Sequence, residues 1–263
     1  MAATAKNHLP GPISPEAISQ LMTSIRLPVA SKIEPLTVTA EFHSIYLVHF
    51  EPPSASVVHG ARAEADGSVV LVLRVSGRHL PRIKTLNEVG MMTWIRENTT
   101  IPVPTVIRFD ASESNPIGFE YTLLERAPGK SVDCIYDTLS DEAKSGLVAQ
   151  LADYLIQLHG QPREPPYIGG LVPEANGLAG GPIIDETFWF LPDMQKYWGA
   201  DATLESINPI SGPFDGYASH CTACLERYIH AIEVHPSLSE YRDMIPKSEI
   251  SHPFLWQSIL TSH

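Results

Sequence analysis

Ser68 to Ser76, SVVLVLRVS, is the stretch whose reading decides the fold. Its alternation sets Val69, Leu71, Leu73 and Val75 on one face of a strand, and Val70, Val72 and Arg74 on the other. Asp66-Gly67 supplies a turn just before it. Upstream, LTVTAEF (Leu36 to Phe42) and SIYLVHF (Ser44 to Phe50) are rich in β-branched and aromatic residues and read as two further strands. Downstream the period changes. From Arg82 to Asn98, Leu86, Val89, Met92 and Ile95 recur along one stripe of a helix. Pro102 and Pro104 end that helix and open an extended segment, VPTVIRFD. A turn at Asn115-Pro116-Ile117-Gly118 leads to a last strand, FEYTLLE, which breaks at Pro128-Gly129. The expected order is therefore strand, strand, strand, helix, strand, strand.

Beyond Gly129 the pattern is helical. Ser140 reads as an N-cap, with Asp141 and Glu142 in the first turn. Leu147, Val148, Leu151, Leu155 and Leu158 form one apolar face, and Gly160 closes the helix. The stretch from Pro162 to Gly216 is rich in Gly, Pro and aromatic residues and reads as irregular, with short helices. Tyr217 to His235 makes another helix, with Ala218, Cys221, Leu225, Ile229 and Ile232 as its apolar set. The division expected is a flexible segment over 1–30, a sheet-based lobe over 31–128 and a helical lobe over 129–263.

The 263 residues carry 18 basic and 30 acidic side chains, and a formal charge of −12 argues against nucleic acid or an anionic membrane as partner. Three cysteines, Cys134, Cys221 and Cys224, make no disulfide framework and fit a reducing compartment. No apolar run approaches the roughly 18 residues that a membrane helix needs, and residues 1–11 read as neither a signal nor a transit peptide. A cytoplasmic location is the expectation.

A sheet interrupted by one helix after its third strand has a purpose when that strand presents a cation and the helix a carboxylate. The cation grips nucleotide phosphates and the carboxylate holds it in place. Arg74 and Glu88 stand at those positions, and Val72 shares the face of Arg74, where it would roof an adenine ring. The end of the last strand, Leu124-Glu125-Arg126, would be a hinge offering main-chain N–H and C=O groups to the adenine edge. The plain alternative is a surface arginine and a solvated helix glutamate.

The stretches LVLRVSG, NEVGMMTWIRENTTIPVPTVIRFD, NPIGFEYTLLERAPG and LADYLIQLHG, in that order, resemble the aminoglycoside phosphotransferase family of kinase-like proteins, and its fungal members in particular. The resemblance covers about Leu36 to Gly160 well and the stretch to about Ile245 more loosely. It implies an α+β, protein-kinase-like bilobal fold: a five-stranded antiparallel N-lobe with one helix, and a mainly helical, incomplete C-lobe. It also implies ATP with Mg2+ and transfer of the γ-phosphate to a small-molecule hydroxyl. Arg74 would take a position usually held by lysine, offering a fork of donors in place of a point charge. The phosphate loop would fall at Thr39-Ala40-Glu41-Phe42-His43-Ser44, which contains no glycine and places Glu41 near the phosphates.

The family's H-x-D-x-x-x-x-N catalytic loop, followed by a metal-binding aspartate, is not found. Asp110 and Asn115 have the spacing but precede the hinge and lack the histidine. His252 has a similar apolar sequel, yet Phe254 and Ile259 stand where Asp and Asn should be. Asp185, in GGPIIDETFW, follows two isoleucines as the metal aspartate does, but comes too early in the chain. His220, Cys221, Cys224 and His230 suggest zinc, against the simpler reading of small apolar side chains on one helix. The aromatic run FWFLPDMQKYW, from Phe188 to Trp198, reads as core or as a substrate pocket. The expectation is no catalytic and no metal-binding residues, and three readings stay open: a shortened enzyme, a pseudo-kinase binding nucleotide, a small molecule or a partner protein, or a fragment of a longer gene.

Overall fold

The computed structural model describes residues 9–37, 42–78, 80–161, 166–184 and 211–245. The chain groups into two units, Met1–Glu164 with Leu171–Ala179, and Pro165–Gly170 with Gly180–His263.

The first unit is built on a five-stranded antiparallel sheet in the order β1-β2-β3-β5-β4. Its strands are β1 (Lys32–Leu36), β2 (His43–Phe50), β3 (Val69–Ser76), β4 (Val106–Asp110) and β5 (Tyr121–Glu125). The alternation read in β3 is what the structure has: Leu71, Leu73 and Val75 are fully buried and Val69 nearly so. Tyr46, Val48 and Phe50 of β2 join them on the same face. Burying side chains of this size contributes about 1.5–3 kcal/mol each.

Helix α1 (Pro15–Ser24) covers that core with Ile18, Leu21 and Met22, all fully buried. Ser14 caps it, its Oγ accepting from the Ala17 N–H at 3.2 Å, and Pro15 occupies the first turn, where its missing N–H costs nothing. The segment expected to be loose thus contains an ordered helix. The first strand begins earlier than expected: pairing with β2 runs from Lys32↔His49 to Leu36↔Ile45, sharing only Leu36 with LTVTAEF, of which residues 38–41 lie outside the described residues. An edge position explains why Pro35 is accepted there, since an edge strand needs only half its ladder groups.

Helix α2 (Ile83–Asn98) packs against β4 and β5. Of the expected Leu86/Val89/Met92/Ile95 stripe only Val89 is buried; Leu86, Met92 and Ile95 are half-buried, and Thr85, Asn87 and Gly90 are buried with Val89. Polar groups are satisfied there by specific partners. Thr85 Oγ1 lies 3.2 Å from Ser76 Oγ, and Asn87 Oδ1 accepts the Leu171 N–H at 2.9 Å. Leu171 opens the two-stranded sheet of β6 (Gly170–Glu174) and β7 (Gly177–Gly181).

Helix α3 (Asp141–His159) has the expected cap, Ser140 Oγ accepting from Ala143 N–H, and ends at Gly160. Yet it buries no side chain: Val148, Leu151, Leu155 and Ile156 are 57–70% exposed. In the second unit, Ile168 and Phe214 pair through a β-bridge. Helix α4 (Tyr217–Val234) follows, with Ala223 and Arg227, one turn apart, as its buried positions rather than the expected apolar set. No helix among the described residues is long and apolar enough to cross a membrane.

Candidate functional site

The sheet face opposite the α1 core carries the candidate site. Register places Arg74 of β3 beside Ile45 of β2 and Thr122 of β5, and Val72 beside Leu47 and Leu124. Side chains alternate along each strand, so His43, two residues before Ile45, points to the same face as Arg74.

Helix α2 delivers Glu88 to this face. Glu88 Oε1 forms an ion pair with Arg74 NH1, the two side chains being 17% and 29% exposed. The Arg74–Glu88 pair read from the sequence is therefore formed. Losing one partner of a pair so enclosed strands the other charge, which typically costs about 3–5 kcal/mol. Burial draws the Arg74 guanidinium below its ordinary value without discharging it.

The entry to α2 is shaped to allow this. Leu80 and Arg82 adopt φ of 48° and 64°, a backbone that costs about 1–2 kcal/mol per residue for side chains other than glycine. Arg82 provides no side-chain cap; its N–H instead donates to Glu120 Oε1 at 2.6 Å. Lys84, in the first turn, donates to the carbonyls of Phe42 and Gly77 at 3.4 and 3.3 Å. It thereby ties α2 to the start of β2 and the end of β3. Burial pushes the Lys84 ammonium down to about 8; Glu120 opposes the shift and Arg74 adds to it.

His43 completes the cluster. Its Nδ1 lies 3.3 Å from Arg74 NH2, and its Nε2 3.8 Å from Glu88 Oε2. Burial first, then the Arg74 and Lys84 cations, hold the imidazole at about 3, so it is neutral at physiological pH. Sequence reasoning placed His43 only in the expected phosphate-loop stretch, where the structure instead begins β2, and passed over Lys84. The signal for His43 was its two-residue offset from Ile45; for Lys84 there was none, because its partners are main-chain carbonyls.

The other expected site residues are placed as follows. Val72 is half-buried beside the nearly buried Leu124. Glu125 is engaged with the segment before β4: its N–H donates to the Thr105 carbonyl at 2.9 Å, and its Oε2 accepts from Thr105 N and Oγ1. Arg126 is exposed just past β5. Asp110 and Asn115 shape a loop, Asn115 Nδ2 donating to Asp110 Oδ2 at 3.1 Å. Thr39, Ala40, Glu41, Asp185 and residues 188–198 and 252–259 lie outside the described residues. His220 Nε2 is 3.9 Å from Cys224 Sγ, and among the described residues no group of three or more His, Cys, Asp or Glu could hold a metal ion.

The donor set fits a phosphate group. Two half-buried cations stand on this face, Arg74 oriented by the Glu88 carboxylate and Lys84 on the Phe42 and Gly77 carbonyls, and an apolar floor of Val72 and Leu124 suits a flat ring beside them. The described residues offer no comparable set for magnesium.

Residues 61–180 match the model of the phosphotransferase enzyme family, APH. A subtelomeric hrmA-associated cluster protein of Aspergillus fumigatus, represented in two strains, is 32% identical to this chain over 69 residues. The aligned stretch is 26% of this chain and only 14% of that protein, so the chain spans about a seventh of the curated relatives it matches. No solved structure is a significant match. Residues 61–180 are thus similar to the APH phosphotransferase family, and the five-stranded antiparallel sheet with α2 set against it is consistent with a kinase-like fold.

Proposed function

We propose that this chain supplies the nucleotide-binding lobe of a kinase-like phosphotransferase, with Arg74 gripping nucleotide phosphate and Glu88 holding Arg74 in place. The observation that carries this reading is the enclosed Arg74–Glu88 ion pair, joining a strand and a helix on the face where Val72 and Leu124 form an apolar floor. The main chain at Leu124, Glu125 and Arg126 borders that floor and would face the adenine edge. The Glu125 N–H is already committed to Thr105 and Leu124 pairs within the sheet, which leaves the main chain of Arg126, just past β5, for that task.

ATP with magnesium would supply the phosphoryl group in complete relatives, with a small-molecule hydroxyl as acceptor. In the 263 residues no H-x-D-x-x-x-x-N sequence occurs, so the chain by itself binds nucleotide and transfers little or no phosphate. The exposed apolar face of α3 favours a second reading, a pseudo-kinase module that also engages a protein partner.

Thermal unfolding with increasing Mg-ATP tests the first reading. A midpoint that rises with concentration supports it, because a ligand bound to the native state stabilises by mass action. A cooperative transition that does not move rejects it. Incubation with labelled ATP and a panel of amino sugars and other alcohols separates the two readings: reproducible, magnesium-dependent product would overturn the pseudo-kinase.

A further inference from the structure

We infer that His43 is a positioning residue for Arg74: its neutral imidazole accepts a guanidinium N–H through Nδ1 and fixes the plane in which Arg74 presents its remaining donors. The inference rests on the proposed phosphate-gripping role of Arg74 and adds the residue that aims it.

The chemistry follows from what each group can do. Arginine only donates, so contact between Arg74 NH2 and His43 Nδ1 at 3.3 Å requires Nδ1 to be the unprotonated acceptor. The ring proton must then sit on Nε2, which faces Glu88 Oε2 at 3.8 Å. Both atoms are buried and have no hydrogen-bond partner among the described residues, so the small approach that would join them closes a ring of three side chains. Glu88 holds one edge of the guanidinium through NH1 and His43 holds the NH2 side. A carboxylate alone leaves the plane free to pivot about that contact; a second acceptor on another strand removes the freedom.

This also accounts for arginine at this strand position. A lysine ammonium is a point charge that a single carboxylate can fix, whereas a half-buried guanidinium has five N–H groups in one plane and needs a second acceptor. His43 provides it without adding charge. The groups facing His43 are Arg74 from β3 and Lys84 and Glu88 from α2. Burial first, and then the two cations, keep the ring from taking a proton, which would destroy the acceptor.

Side-chain 15N–1H correlation spectra of the full chain, recorded from pH 7.5 to 4.5, test this without any ligand. The expected result is a His43 ring protonated only at Nε2 across the range. Titration near pH 6.5, or protonation at Nδ1, overturns the inference whatever the protein binds. The functional arm uses Mg-ATP and inorganic tripolyphosphate as probes. His43→Leu should weaken binding about tenfold, while His43→Asn, whose Oδ1 replaces the Nδ1 acceptor, should recover most of it. In an Arg74→Lys background the His43→Leu change should cost less than about twofold. Equal losses in both backgrounds overturn the coupling. Wild-type protein that binds neither probe overturns the nucleotide reading, while the ring tautomer still decides the His43–Arg74 contact.

Discussion

Gly90→Ala is a substitution in which two effects oppose each other and the structure says which wins. Gly90 lies inside α2, and alanine there would gain about 1 kcal/mol in helix propensity. Against this, a Cβ on Gly90 would stand 2.4 Å from the Leu171 carbonyl oxygen and 2.7 Å from its carbon. Both are main-chain atoms, and the Leu171 N–H is held by Asn87 Oδ1, so nothing can rotate aside. Relief needs a shift of roughly 1 Å, with an overpacking cost of about 1–3 kcal/mol. Stretching the Asn87 hydrogen bond adds about 1 kcal/mol. The net expectation is a loss of about 1–3 kcal/mol, or about 3–9 °C in Tm for a unit of this size. Gly146→Ala is the control: it too is in a helix interior, but nothing lies within 4 Å of its Cβ, so it should gain up to about 1 kcal/mol. Chemical denaturation of both variants measures the difference. If Gly90→Ala stabilised the protein as Gly146→Ala does, the packing of α2 on Leu171, and with it the placement of Glu88, would be refuted.

Other outcomes follow from the same cluster. Because His43 is held at about 3 when folded and takes its ordinary value near 6.5 when unfolded, the unfolded chain binds the extra proton as pH falls below 6.5. Stability should therefore drop by about 2 kcal/mol between pH 6.5 and 5, and His43→Asn should remove that part of the slope in urea titrations; an unchanged slope would place the acid sensitivity elsewhere. Glu88→Ala strands the Arg74 cation and should cost about 3 kcal/mol, whereas Arg74→Met with Glu88→Leu should cost less, since no buried charge remains; losses that simply add would argue against the pair. Leu155→Glu on α3 should change stability by no more than about 0.5 kcal/mol, as its side chain is 57% exposed, and a loss above about 2 kcal/mol would show that this face is covered.

Much of the first unit was legible because its signals are local. Strict alternation in β3 gave the buried face and the site face together, and the change of period at α2 brought Glu88 to Arg74. The parts that were not legible depend on pairing across distance. LTVTAEF, Leu36 to Phe42, reads as a strand from its β-branched residues, but β2 pairs with the poorer-looking KIEPL, because an edge strand tolerates a proline. Helix α1 carried its marks, a serine before proline and Ile18, Leu21 and Met22 on one face, yet lies in a segment read as loose from composition. The apolar stripe of α3 forms the expected helix, but periodicity gives a face and not what covers it. In α2 the stripe placed Val89 but not Thr85 and Asn87, polar positions buried because distant partners satisfy them, as Leu171 does Asn87. His43 and Lys84 entered the site by the same route, one through strand register and the other through main-chain carbonyls.

The central claim, that Arg74 grips nucleotide phosphate, is tested most directly by calorimetric titration of the wild type and Arg74→Ala with Mg-ATP. Saturable binding at one site, weakened at least about tenfold by the substitution, is the predicted result, equivalent to losing a charge-assisted contact of about 1.4 kcal/mol or more. Equal affinity in the two proteins, or no saturable binding in the wild type, would contradict it.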